Sequence, residues 1–348
     1  MIAMVSLLLV AIARAESRQP NALPCIVIAD VGVDDGVGLL LALASPELEI
    51  LGIASTFGGH KDVRKTSANA KKLLEYANRA DIPVYSGAIH PYGSSRLLDG
   101  DGTIVHGPDG FGGVGGDGDK CQLPGVSAAE WMVTIVRSRP GEITVVSFSP
   151  LTNLALALAL EPNLPRLLKQ AVIMGGAVYA PGNVSPLSEA NFRHDAAAAR
   201  VVFDGWGAQT EGVAPLVLVP LDVTMKAMLT LEQQAVLKRG GPAAKLLGQA
   251  FDTFQEGYCR LGGICDRAPV HDAMTITWLT HPEHFNRTEM LRLEIVVDAA
   301  GMNSPSHGMS LVDRRPWSKA PSGADVAVLL DIDSAAFLRV VVERVSTL

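Results

Sequence analysis

Three scarcities narrow the reading of this 348-residue chain. Aromatic residues are only 5% of it, cysteines number four, and Lys and Arg form no cluster. With no basic patch and a formal net charge of −7, the chain is not suited to binding nucleic acid. Four cysteines (Cys25, Cys121, Cys259 and Cys265) are too few to frame a fold of this length, and their spacing is not a zinc pattern. In an exported protein they allow three full pairings. Cys259 and Cys265 are close enough for a local bridge, and free buried thiols are the alternative. Beyond the first residues no apolar run is long enough to span a bilayer, so no membrane anchor is expected, and no internal repeat is visible.

What is present is an ordinary globular composition on the apolar side, 48% hydrophobic and 19% charged, long enough for a large core. The start, MIAMVSLLLVAIARAES, carries an apolar stretch over residues 4–13 and a small-x-small site at Ala13-Arg14-Ala15. That fits a signal peptide, although no Lys or Arg precedes the apolar stretch. Residues 1–20 are therefore read as a leader and the protein as exported, secreted or periplasmic. Without a functional leader it is cytoplasmic.

From residue 22 to 348, β-branched runs alternate with helical patterns, and one domain is expected. CIVIAD (25–30), ELEILGIASTF (47–57), EITVVSF, QAVIMGG and APLVLVPLD read as strands. Residues 62–80 have helical period, with Ala70, Leu73, Leu74 and Ala77 on one face, and a long helix is predicted over 231–256. The later strands are LRLEIVVDA and ADVAVLLDI, and SAAFLRVVVERV closes the chain as a helix. This alternation predicts an α/β fold with an open, mostly parallel, Rossmann-like sheet flanked by helices. The glycine-rich stretch over residues 99–120 reads as a long loop.

In such sheets ligands bind beyond the carboxyl ends of the strands. Asp30, Asp34 and Asp35 follow the first strand, within six residues. Three carboxylates around one glycine turn suit a hard cation such as calcium, which takes six to eight oxygen ligands; magnesium is not excluded, and a helix cap is the simpler alternative. APVHDAM (268–274) adds His271 and Asp272 ahead of an apolar helical run.

With DVGVDD and VHD in hand, the chain resembles the inosine–uridine-preferring nucleoside hydrolase family. The resemblance extends to SPLTNLALAL from residue 149, IMGGAV (173–178), GNVSPLSEANF (182–192) and PLDVT (220–224), and runs in order over about residues 25–345. It implies a calcium ion at the base of a pocket and hydrolysis of the N-glycosidic bond of ribonucleosides. Asp30, Asp35, Asp272 and the Phe148 carbonyl would be ligands. Asp30 would also act as general base, and His271 would protonate the leaving base. Asp34, His60, Asn183, Glu189 and Asn191 would hold the ribose hydroxyls. His106 would lie near the base, whose pocket the loop over 99–120 and the region over 258–265 would build. A dimer or tetramer is also implied.

Departures from the family pattern are local. Ile28 stands where the family usually has an acid, Val31 replaces proline, His60 an asparagine, Ser149 a glycine and Ala190 a phenylalanine. Two alternatives follow: a divergent homologue that binds a ribosyl ligand with weak or no turnover, or an enzyme for a modified N-riboside.

Overall fold

The computed structural model describes residues 21–94, 96, 101–209, 211–315 and 322–348. The leader expected over 1–20 and the first two residues of the 99–120 loop lie outside the described residues. The β-branched run of the first strand, β1 (Leu23–Ala29), lies inside a nine-stranded sheet, third from one edge. Its side chains alternate strictly: Cys25, Val27 and Ala29 enter one hydrophobic core, Ile26 and Ile28 the other. A strand buried on both faces reads as a continuous apolar run, as this one does.

The other strands are β2 (Leu48–Ser55), β3 (Val84–Ser86), β4 (Thr144–Ser147), β5 (Gln170–Met174), β6 (Leu216–Val219), β9 (Arg287–Ile295), β10 (Ser310–Val312) and β11 (Ala324–Asp331). A small ribbon of β7 (Met228–Thr230) and β8 (Arg267–Pro269) stands apart. The sheet order is β10-β9-β11-β6-β5-β4-β1-β2-β3. From β3 to β11 neighbouring strands run parallel, and β9 and β10 add an antiparallel edge. The open, mostly parallel sheet is the one the alternation predicted. The order reverses between β1 and β4, since β1 leads outward to β2 and β3 while β4 leads the other way. That reversal opens a crevice at the strands' carboxyl ends.

One predicted element divides. The helix expected over 231–256 is two, Leu231–Leu237 and Pro242–Gly262. Gly240, Gly241 and Pro242 explain the break: proline lacks the N–H that a continuous helix needs but suits the first turn of a new one. The Gly241 and Ala243 N–H groups at this start donate to the carbonyls of Ser346 and Leu348, at 3.0 and 2.9 Å. Cys259 and Cys265 form a disulfide, Cys25 is a buried free thiol and Cys121 a half-buried one, so the local bridge and the free thiols are both present. Among the described residues no helix is long and apolar enough to cross a membrane.

Candidate active site

The crevice between β1 and β4 opens into a cavity of about 320 Å³, large enough for a small ligand. Among the described residues six carboxylates line it (Asp30, Asp34, Asp35, Asp101, Glu189 and Asp272), and no Lys or Arg does. So anionic a pocket calls for protons or a cation.

The turn after β1 sets the first three acids. Asp34 and Asp35 fall in the first turn of helix Val33–Leu43, where the N-terminal dipole favours negative charge. Asp35 accepts from the N–H of Gly32 at 3.1 Å and of Asp30 at 3.2 Å. It therefore does the capping that was the simpler reading of this turn, while still lining the pocket. The Asp30 carboxylate accepts from the Gly59 N–H. This needs the loop after β2 to press against it. Gly58, at φ +146°, allows that approach, because a side chain there would run into the Asp30 carboxylate.

Asp272 arrives from the far end of the chain, at the start of helix Ala273–Thr280. Its carboxylate does not cap that helix, and its buried Oδ1 has no hydrogen-bond partner. Oxygens of Asp34, Asp35 and Asp272 lie within 4.8 Å of one another. In this arrangement Asp34 completes the closest trio in place of Asp30, which is turned toward Gly59. Burial raises all four acids, and repulsion from neighbouring carboxylates adds to it for Asp30, Asp34 and Asp272: Asp34 rises to about 8, Asp30 and Asp272 well above the ordinary range, and Asp35, which its hydrogen bonds pull back, to about 6. An orphaned buried carboxylate oxygen among converging carboxylates fits a hard divalent cation.

The Phe148 carbonyl, which follows β4, accepts from the Asn191 side-chain amide at 2.7 Å; the same amide reaches the Met174 carbonyl at 3.3 Å. Glu189 begins helix Ala190–His194. It takes N–H bonds from Gly176, Asn191 and Phe192, and burial raises it nonetheless. Asn183 Oδ1 accepts from the Ala190 N–H at 3.0 Å. These residues all line the cavity.

The histidines divide. His271 is held from both sides, Nδ1 2.7 Å from Thr224 Oγ1 and Nε2 3.2 Å from Tyr258 Oη. Burial lowers it to about 4, so it is neutral at pH 7. His106 accepts from the Val33 N–H through Nδ1, which leaves its proton on Nε2, 3.8 Å from Asp34 Oδ1. Burial first, and then His271, brings it to about 4. His60 does not line the cavity, whose wall there is Gly58 and Gly59. Its Nδ1 accepts from the Asp62 N–H at 2.9 Å. Ile28 is fully buried in the apolar core behind β1.

Sequence reasoning passed over Thr224, His194 and the pins of the glycine-rich loop. Asp109 accepts from the N–H groups of Phe111, Gly113 and Gly115, and buried Asn69 bonds both that loop and the Val31 carbonyl. The signal for Asp109 was present, an Asp followed by a run of glycines whose free N–H groups need an acceptor. Asn69 gave none, lying mid-helix in an otherwise regular pattern.

The sequence pattern and this geometry meet in the comparisons with known proteins. The family model described as inosine-uridine preferring nucleoside hydrolase matches residues 25–339. The chain belongs to the inosine-uridine preferring nucleoside hydrolase family. As a member of it, the protein is a hydrolase of N-glycosidic bonds. A pyrimidine-specific ribonucleoside hydrolase, RihA, of Salmonella gallinarum is 34% identical to this nucleoside hydrolase over 324 residues, covering 93% of this chain and 98% of the relative. Among solved structures, a plant nucleoside hydrolase superposes with a TM-score of 0.81 at 26% identity, covering 94% of this chain and 99% of its own. A purine-preferring ribonucleoside hydrolase from Gardnerella vaginalis does so with a TM-score of 0.81 at 25% identity, covering 93% and 98%.

Proposed function

We propose that this nucleoside hydrolase cleaves ribonucleosides to free base and ribose, with a calcium ion held by Asp30, Asp35, Asp272 and the Phe148 carbonyl. The observation that carries the reading is the buried, unpartnered Asp272 oxygen among the carboxylates of the turn. The chemistry calcium supplies in such a site is acidification of water and orientation of vicinal hydroxyls.

The chain's own groups take the remaining roles. Asp30, whose carboxylate is oriented by the Gly59 N–H, accepts a proton from the attacking water. The departing base leaves positive charge on the ribosyl group, as in glycoside hydrolysis, and the six carboxylates stabilise it. Asp34 takes the ribose 2′-hydroxyl, and Asn183, Glu189 and Asn191 the 3′- and 5′-hydroxyls, which fixes the anomeric carbon for attack. His271, neutral at pH 7, delivers a proton to the leaving base as part of a hydrogen-bonded chain with Tyr258 and Thr224. His106 keeps its Nε2 proton toward Asp34. His60 has no role in substrate binding in this reading. The Cys259–Cys265 disulfide supports export, since such bonds persist in oxidising compartments.

The test is release of reducing ribose from a panel of purine and pyrimidine ribonucleosides, before and after chelation and with calcium restored. Release that stops on chelation and returns with calcium is expected. No release from any ribonucleoside would overturn the proposed substrate class, and release undiminished by chelation would remove calcium from it. One observation favours a second reading. Ala190 lines the cavity where the family usually carries phenylalanine, which leaves room for a larger, modified N-riboside. Turnover of such compounds with none of the common ribonucleosides would select it.

A further inference from the structure

A second group of metal-binding side chains lies outside the pocket. THPEHF (280–285) forms a turn of 3₁₀ helix, Pro282–His284, with His281 at its head. Three residues per turn bring positions i and i+3 onto one face. The His281 and His284 rings accordingly stack, with centroids 5.2 Å apart and planes at 17°. One ligand atom from each of His281, Glu283 and His284 lies within 4.8 Å of the others. Donors of a tetrahedral zinc ion, with bonds of about 2.0–2.2 Å, sit about 3.4 Å apart, so small side-chain rotations close the gap.

Two further features prepare these groups. The Thr280 hydroxyl donates to the Ile276 carbonyl at 3.1 Å, which uses its proton. Its oxygen, 2.9 Å from His281 Nδ1, must then accept the Nδ1 proton. This tautomer leaves the Nε2 lone pair of His281 free to ligate, and a hydrogen bond to the opposite ring nitrogen is the usual support of a ligating imidazole. The turn itself is pinned. The His284 N–H donates to the His281 carbonyl at 3.1 Å, the Asp333 N–H to the His284 carbonyl at 2.8 Å, and Trp278 packs edge-on against Phe285.

We propose that His281, Glu283 and His284 bind a divalent transition-metal ion of the zinc type, at a site distinct from the carboxylate pocket. Two imidazoles and one carboxylate select zinc, copper or nickel over calcium or magnesium. Three protein ligands leave a position open to water. The site lies at the far end of helix Ala273–Thr280 from Asp272, about 13 Å along the helix axis.

The test titrates the full chain with zinc chloride by calorimetry, after chelation and with calcium in excess to fill hard-cation sites. The unmodified protein should bind one zinc more than the His281→Asn/His284→Asn variant, with circular dichroism confirming the variant's fold. Thr280→Val, which removes only the support, should weaken that binding by about 10–100-fold. Cobalt(II) added to the unmodified protein should give the visible bands of a four-coordinate ion that zinc abolishes, a reading independent of any variant. Equal zinc stoichiometry in the folded double variant, or a cobalt spectrum without such bands, would overturn the site.

Discussion

The two ends of the pocket are built differently. The acidic floor comes from one short turn. Asp35 is held by the N–H groups of Asp30 and Gly32 and Asp30 by that of Gly59, Asp34 lies in the same turn, and only Asp272 arrives from afar. The opposite wall is an assembly of distant parts. Tyr258, Leu261 and Ile264 come from the end of helix Pro242–Gly262 and the residues after it, tied by the Cys259–Cys265 bridge, and His271 is held between Tyr258 and Thr224. The floor is backbone geometry at the edge of a rigid sheet, whereas the wall depends on how a helix docks. Changes to the floor should therefore act on the chemical step, and changes to the wall, His271 itself apart, on selection and capture of the substrate.

The sharpest way to break this contrast is Asp30→Asn. It should lower kcat by about 10²–10⁴-fold in ribose-release assays, the range of a lost general base, with little change in KM. An equal fall in kcat from Tyr258→Phe would erase the distinction between floor and wall; a smaller fall, about tenfold, with a raised KM is expected there. Next is stability against pH. Between pH 6.5 and 8 the unfolded chain has already lost the protons of its acids, while the native floor, with Asp34 at about 8 and Asp30 and Asp272 raised further, still holds some. The unfolded state then binds fewer protons, so stability falls as pH rises, by about 1.4 kcal/mol per pH unit for each proton retained. The buried histidines, lowered to about 4, have the opposite slope, but it is half spent at pH 6.5 and gone about one unit above, leaving the acids to set the trend. Thermal melts of chelated protein should thus show Tm dropping from pH 6.5 to 8, and added calcium should raise it most at pH 8. A Tm flat over that window would mean the floor is not proton-loaded. Reducing the disulfide should raise KM several-fold, on the order of 1 kcal/mol of lost preorganisation, and spare kcat. The smallest effect belongs to His60→Asn: no more than about twofold in either constant, on the order of 0.4 kcal/mol, since His60 does not line the cavity and its ring is engaged by the Asp62 N–H.

The sheet was legible because its central strands are buried on both faces and announce themselves as β-branched runs such as CIVIA. The acidic floor was legible for a related reason, as carboxylates interrupting such a run have few structural uses. The break at Gly240, Gly241 and Pro242 was also written in the sequence, but the apolar periodicity on either side masks it. His60 could not be placed from its neighbours, because which side of a glycine loop faces a cavity depends on contacts made far along the chain, here the bond from the Gly59 N–H to the Asp30 carboxylate. The pairing of Tyr258 with His271 was equally out of reach, for it depends on the packing of two helices.

Asp35 serves two masters. Its oxygens hold the amides of Asp30 and Gly32, and they are also among those offered to a cation. Occupancy of the floor and opening of the first turn of helix Val33–Leu43 are then a single local equilibrium. Hydrogen exchange at those two amides would act as a gauge of the ion, slow when it is bound and faster when it leaves, in a part of the molecule that global unfolding measurements average away.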